Sequence, residues 1–356
     1  MLNSLKIGDK IAKLPIIQGG MGVGVSLSHL AGAVAAEGGI GVISTAQIGF
    51  DEEGFEENQK LCNLKAIEKH VKRAKAQAKE GLVGVNVMVA LKDYAQHVRA
   101  AVKAGVDVVI SGAGLPVNLP ELVEGSDTKI APIVSSEKAA NVILKMWDRK
   151  YQKTADFVVI EGPKAGGHLG FSREDLAHVE ELHYDSEIKN IIRTVKEYGK
   201  KFGRKIPVIV AGGIFSREDV SHAIELGADG VQVASRFVAT KECDASDAYK
   251  QAYVNAGEKD VELIASPVGM PGRALHNQFL EEVKEHHLAV GKCYGCLAKC
   301  NPGEIPYCIT DALIKAVRGD VDHGLVFCGA NVGKIHSITT VHEVMEELAQ
   351  GLELSH

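Results

Sequence analysis

Residues 156–170 read DFVVIEGPKAGGHLG, and the first seven of them, DFVVIEG (156–162), decide the fold. Phe157 to Ile160 form an apolar run rich in Val and Ile that stops at Glu161 and Gly162. A run this short, with no alternation of polar residues, reads as a strand buried on both faces of a parallel sheet. The same pattern recurs along the chain. Before it come PIIQGG (15–20), GIGVIS (39–44), LVGVNVMV (82–89), VDVVISGAG (106–114) and KIAPIVSS (129–136); after it come IPVIVAGG (206–213) and GVQVASRF (230–237). Amphipathic helical segments such as LSHLAGAVAAEG and YAQHVRAAVKAG separate them, several closing on a glycine suited to a helix C-cap. The fold class is therefore α/β. An open doubly wound sheet is the alternative, but eight consecutive parallel strands favour closure into a TIM-like (β/α)8 barrel.

Beyond strand eight the pattern changes. Residues 238–300 hold the helical segments SDAYKQAYVNAG and QFLEEVKEHHLAV around a turn rich in Pro and Gly, SPVGMPGRAL. The expected organisation is a barrel over 1–237, an inserted small helical lid domain over 238–300, and C-terminal helices over 301–356 that complete the barrel. YCITDALIKAVRG is the expected last barrel helix, followed by a final amphipathic helix at TVHEVMEELAQGL. Two segments, FSREDLAHVEEL and FSREDVSHAIEL, echo each other. Each places Ser three residues before Asp, a helix-start pattern close to the capping box, and helix-start chemistry accounts for the echo without a repeated half-barrel.

Composition narrows the functional classes. A formal net charge of −6 over 356 residues leaves no basic footprint for nucleic acid. No apolar run is long enough for a membrane span, and MLNSLKIGDK lacks the apolar core of a signal peptide. The expectation is a soluble cytoplasmic protein whose seven cysteines are reduced. Five of those cysteines crowd the C-terminal part. CYGCLAKCNPGEIPYC spaces Cys293, Cys296, Cys300 and Cys308 as C-x2-C-x3-C-x7-C, which suits an iron–sulfur cluster or a structural zinc. Ordinary buried thiols are the alternative.

The strand ends carry the candidate site. In such barrels the loops after strands seven and eight commonly bind phosphate, because helix N-termini there present free N–H groups. Here they hold Gly212 and Gly213, then Ala234 and Ser235, where small residues admit a phosphate and Ser235 adds a hydroxyl. The first strand runs into QGGMGVGVS, in which Met21 among glycines can lie against a flat ring. Asn86 is a polar residue inside the apolar strand GVNVMV. Glycines around His168 clear space beside an imidazole able to handle protons near neutrality. Ser111 and Gly112, at the end of strand four, are candidate substrate contacts.

Four motifs in order, PIIQGGMGVGVS with AGAVAAEGGIGVIS, EGPKAGGHLG, AGGIFSREDV with LGADGVQVASRF, and MPGRALHNQF, make the chain resemble the nitronate monooxygenase family (2-nitropropane dioxygenases). That family also contains the flavin-dependent enoyl-acyl-carrier-protein reductases. The resemblance implies FMN over a TIM-like barrel, with Gly20, Met21 and Gly22 against the isoalloxazine ring and Asn86 beside it. It implies Glu161 on ribityl or ring polar atoms, Gly166 and Gly167 along the same side, and Gly212, Gly213, Ala234 and Ser235 at the phosphate with Gln232 nearby. His168 matches the family's active-site histidine. Many nitronate-oxidising members place a Lys at the end of strand five; here that stretch is APIVSSEKAA, and Lys138 falls later, on the following helix. The Gly-Gly-Met start is closer to the reductases and GVGVS closer to the monooxygenases, so both reactions stay open. Nitronate oxidation by oxygen is the leading expectation. The reductase alternative brings NAD(P)H and an acyl carrier protein as partners besides the small-molecule substrate. A homodimer is a further assembly the reading admits.

Overall fold

The computed structural model describes residues 4–353. Residues 1–3 and 354–356, the outer ends of the expected barrel and C-terminal segments, lie outside them. Thirteen strands follow in chain order: β1 (Leu5–Ile7), β2 (Lys10–Ala12), β3 (Ile16–Gln18), β4 (Ile40–Ser44), β5 (Leu82–Met88), β6 (Val108–Gly112) and β7 (Lys129–Val134), then β8 (Val158–Glu161), β9 (Gly167–His168), β10 (Val208–Ala211), β11 (Gly230–Val233), β12 (Val261–Ala265) and β13 (Pro271–Leu275). Eight of them close a parallel barrel in the order β10-β11-β3-β4-β5-β6-β7-β8. Each lies within one of the eight runs read from the sequence.

Alternation along the strands splits the core in two. Ile17, Ile40, Val42, Leu82, Val108, Ile110, Phe157, Val159 and Ile209 point inward and pack together. Ile43, Val83, Val109, Val158, Ile160 and Val208 point outward beneath the surrounding helices. Both faces are therefore apolar, as a parallel sheet covered on both sides requires. The bottom of the barrel is closed by a hairpin absent from the expected organisation: β1 and β2 pair antiparallel and send Leu5, Ile7 and Ala12 into the inner cluster. Its signal was present as Gly8-Asp9 between two short apolar pairs, with Gly8 at φ +63°.

The far end of the chain corrects two expectations. The helix Ile309–Arg318 is not the last barrel helix; its Ile314, Ala316 and Val317 pack with Val23, Val25, Phe50, Tyr249 and Tyr253 above the barrel. The eighth outer position belongs to the helix Val341–Glu353, seated against the helices Arg217–Glu225 and Ser28–Ala36 and against β3. Arg236 holds it by two hydrogen bonds, of 3.1 and 2.6 Å, to the carboxylate oxygens of Glu347. Nor is the segment 238–300 purely helical. Besides the helices Asp247–Asn255 and Gln278–Glu285 it contains the β12–β13 hairpin, and β13 pairs antiparallel with β9. The turn SPVGMPGRAL thus turns back into a strand, because β9 offers it an edge that only the folded barrel presents.

Both echoing segments start helices with a capping box. Ser172 with Asp175 and Ser216 with Asp219 exchange side-chain and backbone hydrogen bonds. Among the described residues no helix is long and apolar enough to cross a membrane.

Candidate active site

Two residues beyond the inward-facing core positions, the same strand faces reach a cavity of about 410 Å³ at the C-terminal mouth of the barrel. Val42 is thus followed by Ser44, Gly84 by Asn86 and Met88, Ile110 by Gly112, Val159 by Glu161, and Ala211 by Gly213. Side chains on a strand alternate faces, so Ser111 and Gly112 cannot both look into the barrel. Gly112 lines the cavity. Ser111 does not. It is fully buried on the outer face, where its hydroxyl donates to the Val87 carbonyl at 2.8 Å and lies 2.9 Å from the Tyr94 hydroxyl. The expected substrate contact at Ser111 is corrected to a structural hydrogen bond between strand and helix.

All the other expected barrel residues meet around this one space: Gly20, Met21, Gly22, Asn86, Glu161, Gly166, Gly167, His168, Gly212, Gly213, Gln232, Ala234 and Ser235. Three of them stand out chemically. Asn86, Glu161 and Gln232 line the cavity, and none of their side chains makes a hydrogen bond among the described residues. Polar groups in such a position call for a partner. Burial raises the pKa of the Glu161 carboxyl to about 7.

Glycines shape the walls where nothing larger fits. A Cβ on Gly20 would lie 2.4 Å from the Asn86 Cβ, and one on Gly166 would lie 2.6 Å from the Cys328 carbonyl group. Gly212 and Gly213 have φ of +85° and +109°, a backbone open to glycine at little cost. Opposite them Ser235 Oγ accepts from the Gly329 N–H at 3.1 Å, and Asn331 donates to the Gly213 carbonyl at 2.8 Å.

His168 sits on β9, the edge of the small lid sheet, and its imidazole faces the cavity. Its Nε2 lies 2.7 Å from the hydroxyl of Ser266, and the Phe327 ring meets it edge-on at 5.0 Å. Burial lowers its pKa to about 4, so the ring is neutral at physiological pH. The loop leading to it is clamped from the lid: Arg273 is buried and donates to the carbonyls of Pro163 (2.9 Å) and Ala165. Under the loop, the Tyr184 hydroxyl lies 2.9 Å from the Ser135 carbonyl and 3.0 Å from that of Glu161. Ser266, Arg273, Phe327 and Tyr184 were not among the sequence candidates. Arg273 lies inside the quoted MPGRALHNQF motif; Ser266 had no local signal at all.

The cysteine set is corrected. Among the described residues no three His, Cys, Asp or Glu side chains gather as metal ligands. Cys293 is exposed, while Cys296, Cys300 and Cys308 are partly buried. Backbone pairing holds the segment that carries Cys296: the Lys92 N–H donates to the Cys296 carbonyl and the Ala298 N–H to the Ala90 carbonyl, which pins it along the exit of β5. Cys293 and Cys296 border a second cavity of about 390 Å³ with Lys60, Asp93 and His97, and Cys296 and Cys300 both pack against apolar lid residues. Burial raises the thiol pKa of Cys296 and Cys308, which keeps them protonated. Lys138 is exposed on the helix Glu137–Tyr151, away from the cavity.

A closed parallel barrel whose glycine-lined mouth holds an imidazole and polar groups without partners among the described residues defines a (β/α)8-barrel enzyme. More narrowly, the nitronate monooxygenase family profile matches residues 3–351, and the chain belongs to that family of oxidoreductases. A probable nitronate monooxygenase of Staphylococcus aureus (strain MSSA476) is 25% identical over 85% of this chain and 83% of its own length. A Mycobacterium tuberculosis relative, (3aS,4S,5R,7aS)-5-hydroxy-7a-methyl-1-oxo-octahydro-1H-indene-4-carboxyl-CoA dehydrogenase, is 25% identical over 78% of this chain and 67% of its own. Among solved structures, FabK from Thermotoga maritima superposes with a TM-score of 0.73 at 25% identity, covering 96% of this chain and 93% of that one. A nitroalkane oxidase from Streptomyces ansochromogenes shares the fold at 22% identity, with a TM-score of 0.71 over 96% of each chain.

Proposed function

We propose that this chain is an FMN-dependent oxidoreductase that oxidises alkyl nitronates with oxygen. The observation that carries the reading is the trio Asn86, Glu161 and Gln232, three polar side chains that line one cavity without a hydrogen-bond partner among the described residues. They fit the alternating donors and acceptors of a flavin, and the glycine-walled mouth admits a flat ring. FMN held there supplies the redox chemistry, taking the electrons that leave the substrate. Gly20, Met21 and Gly22 would support one side of the ring. Gly166 and Gly167 would clear the other, and Gly212, Gly213, Ala234 and Ser235 would receive the phosphate.

The chain's own contribution to the reaction is at His168 and Glu161. A neutral imidazole can hydrogen-bond an anionic nitronate or accept the proton of a neutral nitroalkane. Glu161, with its pKa near neutrality, can meet either a donor or an acceptor on the bound group. Gly112 and Met88 line the same cavity and keep that part of its wall open and apolar. The test is direct: the FMN-loaded protein should consume oxygen with propionate 3-nitronate and need no NADH.

The similarity to FabK and to a relative named for a carboxyl-CoA substrate favours a second reading. In it an enoyl thioester is reduced with NAD(P)H, an acyl carrier protein delivers the substrate, and His168 meets the thioester carbonyl. Rapid NADH oxidation that depends on an enoyl thioester, with no response to the nitronate, would select this reading and overturn the first.

A further inference from the structure

We propose that Ser266 is a positioning residue for His168, fixing its ring orientation and holding its proton on Nδ1. The inference rests on reading His168 as the group that meets substrate. Ser266 is the residue directly after β12 and opens the turn to β13; the Gly269 N–H donates to its carbonyl at 2.9 Å. The returning strand then pairs with the histidine's own segment: Gly272 faces His168 in register, and the Leu169 N–H donates to the Pro271 carbonyl at 2.9 Å. Hydroxyl and imidazole are therefore carried by hydrogen-bonded backbones of one small sheet. Their 2.7 Å contact follows from the lid's strand register rather than from the freedom of two side chains.

The proton count sets the direction of that contact. Ser266 Oγ accepts from the Val268 N–H at 3.3 Å, and its own O–H has no acceptor other than His168 Nε2 among the described residues. Donation from the hydroxyl to Nε2 is the arrangement that gives that O–H a partner, and it places the imidazole proton on Nδ1. Nδ1 makes no hydrogen bond among the described residues, so it is the nitrogen left to the cavity. Phe327, edge-on at 5.0 Å, blocks rotation of the ring. Among the described residues no ion pair holds the imidazole: Arg273 on the facing strand turns to the Pro163 and Ala165 carbonyls, and burial keeps the adjacent Cys328 a protonated thiol. Among the described residues Glu161 is the one carboxyl lining the cavity. His168 thus offers substrate a fixed N–H donor, and the lid must be in place for it to do so.

The test is ¹⁵N NMR of the full chain labelled in its histidine rings, with the His168 signals assigned by their loss in His168→Gln. The wild type should show the Nδ1–H tautomer. Ser266→Ala should show mixed tautomers with a midpoint raised by roughly half to one pH unit, the loss of one hydrogen bond to the neutral ring. Ser266→Cys should behave like Ser266→Ala, and it carries the comparison if the alanine variant loses its native fold. Ser266→Thr should restore the wild-type spectrum. In turnover, Ser266→Ala should lower kcat about tenfold, with no further loss when combined with His168→Gln. An Nε2–H tautomer in the wild type, or a spectrum and midpoint untouched in both Ser266→Ala and Ser266→Cys, overturns the proposal. If the tautomer responds as expected but His168→Gln keeps full turnover, the positioning stands and the catalytic reading of His168 falls.

Discussion

His168 and Glu161 both line the same cavity, half-buried, and their partial removal from water moves their pKa values in opposite directions because it disfavours charge on either. For the imidazole the native value is about 4 against an ordinary 6.5. The folded protein binds fewer protons than the unfolded chain between those values, so this group lowers stability as pH falls through that window. Activity that needs the neutral ring should keep its acid limb near pH 4; a kcat/KM profile that breaks near 6.5 would contradict the burial argument. His168→Ala should lower turnover by about a hundredfold or more while FMN stays bound, read from the visible spectrum after gel filtration. For Glu161 the native value is about 7 against an ordinary 4.5. Here the folded state holds the extra proton, so stability is fully present below 4.5 and is lost as pH rises through 7. Glu161→Gln should therefore stabilise the FMN-free protein at pH 8 by on the order of 2 kcal/mol and change little at pH 4, as read by urea unfolding at both values.

At the scale of elements, close approach of backbones decides which glycines are needed. The helix Ser28–Ala36 lies so tightly on β4 that a Cβ on Gly41 would meet the Ala31 carbonyl oxygen at 1.7 Å. Gly41→Ala should cost about 3 kcal/mol or more, whereas Gly291→Ala, with nothing within 4 Å, should cost little; thermal melts of the two variants make the comparison. Gly166→Ala pushes on the backbone at Cys328 and Gly329, which has no side-chain rotation to relieve it. It should weaken FMN binding by about tenfold or more, roughly 1.4 kcal/mol, measured by flavin fluorescence quenching. The closing helix Val341–Glu353 is tested by Leu348→Ala: the side chain is fully buried, and its loss should cost about 2–5 kcal/mol because the barrel then lacks part of its eighth outer wall. The β12–β13 hairpin is the element the sequence concealed. Its strands are short, its turn carries one proline and the returning strand starts on another, and its pairing partner is the two-residue β9, distant in the chain.

Across the whole molecule, oxygen uptake with the nitronate or NADH oxidation with the thioester separates the two reactions, and the same barrel would serve either. What the sequence by itself determined were the features whose cause is local. Eight apolar runs without alternation could only be strands covered on both faces, so the parallel barrel was legible from DFVVIEG and its seven counterparts. The glycines and Ser235 at strand ends, Asn86 within an apolar run and His168 in its open loop were legible for the same reason: a polar or missing side chain at a strand end stands out against its neighbours. Tertiary structure decided the rest. It turned Ser111 to the outer face by strand parity, gave the eighth helical position to Val341–Glu353, and kept the spaced cysteines from converging as a ligand set. It also brought Ser266 to His168 across 98 residues of chain and Arg273 to the loop before it. Contacts between distant segments depend on which edges and faces the folded barrel leaves open, and no spacing within either segment records them.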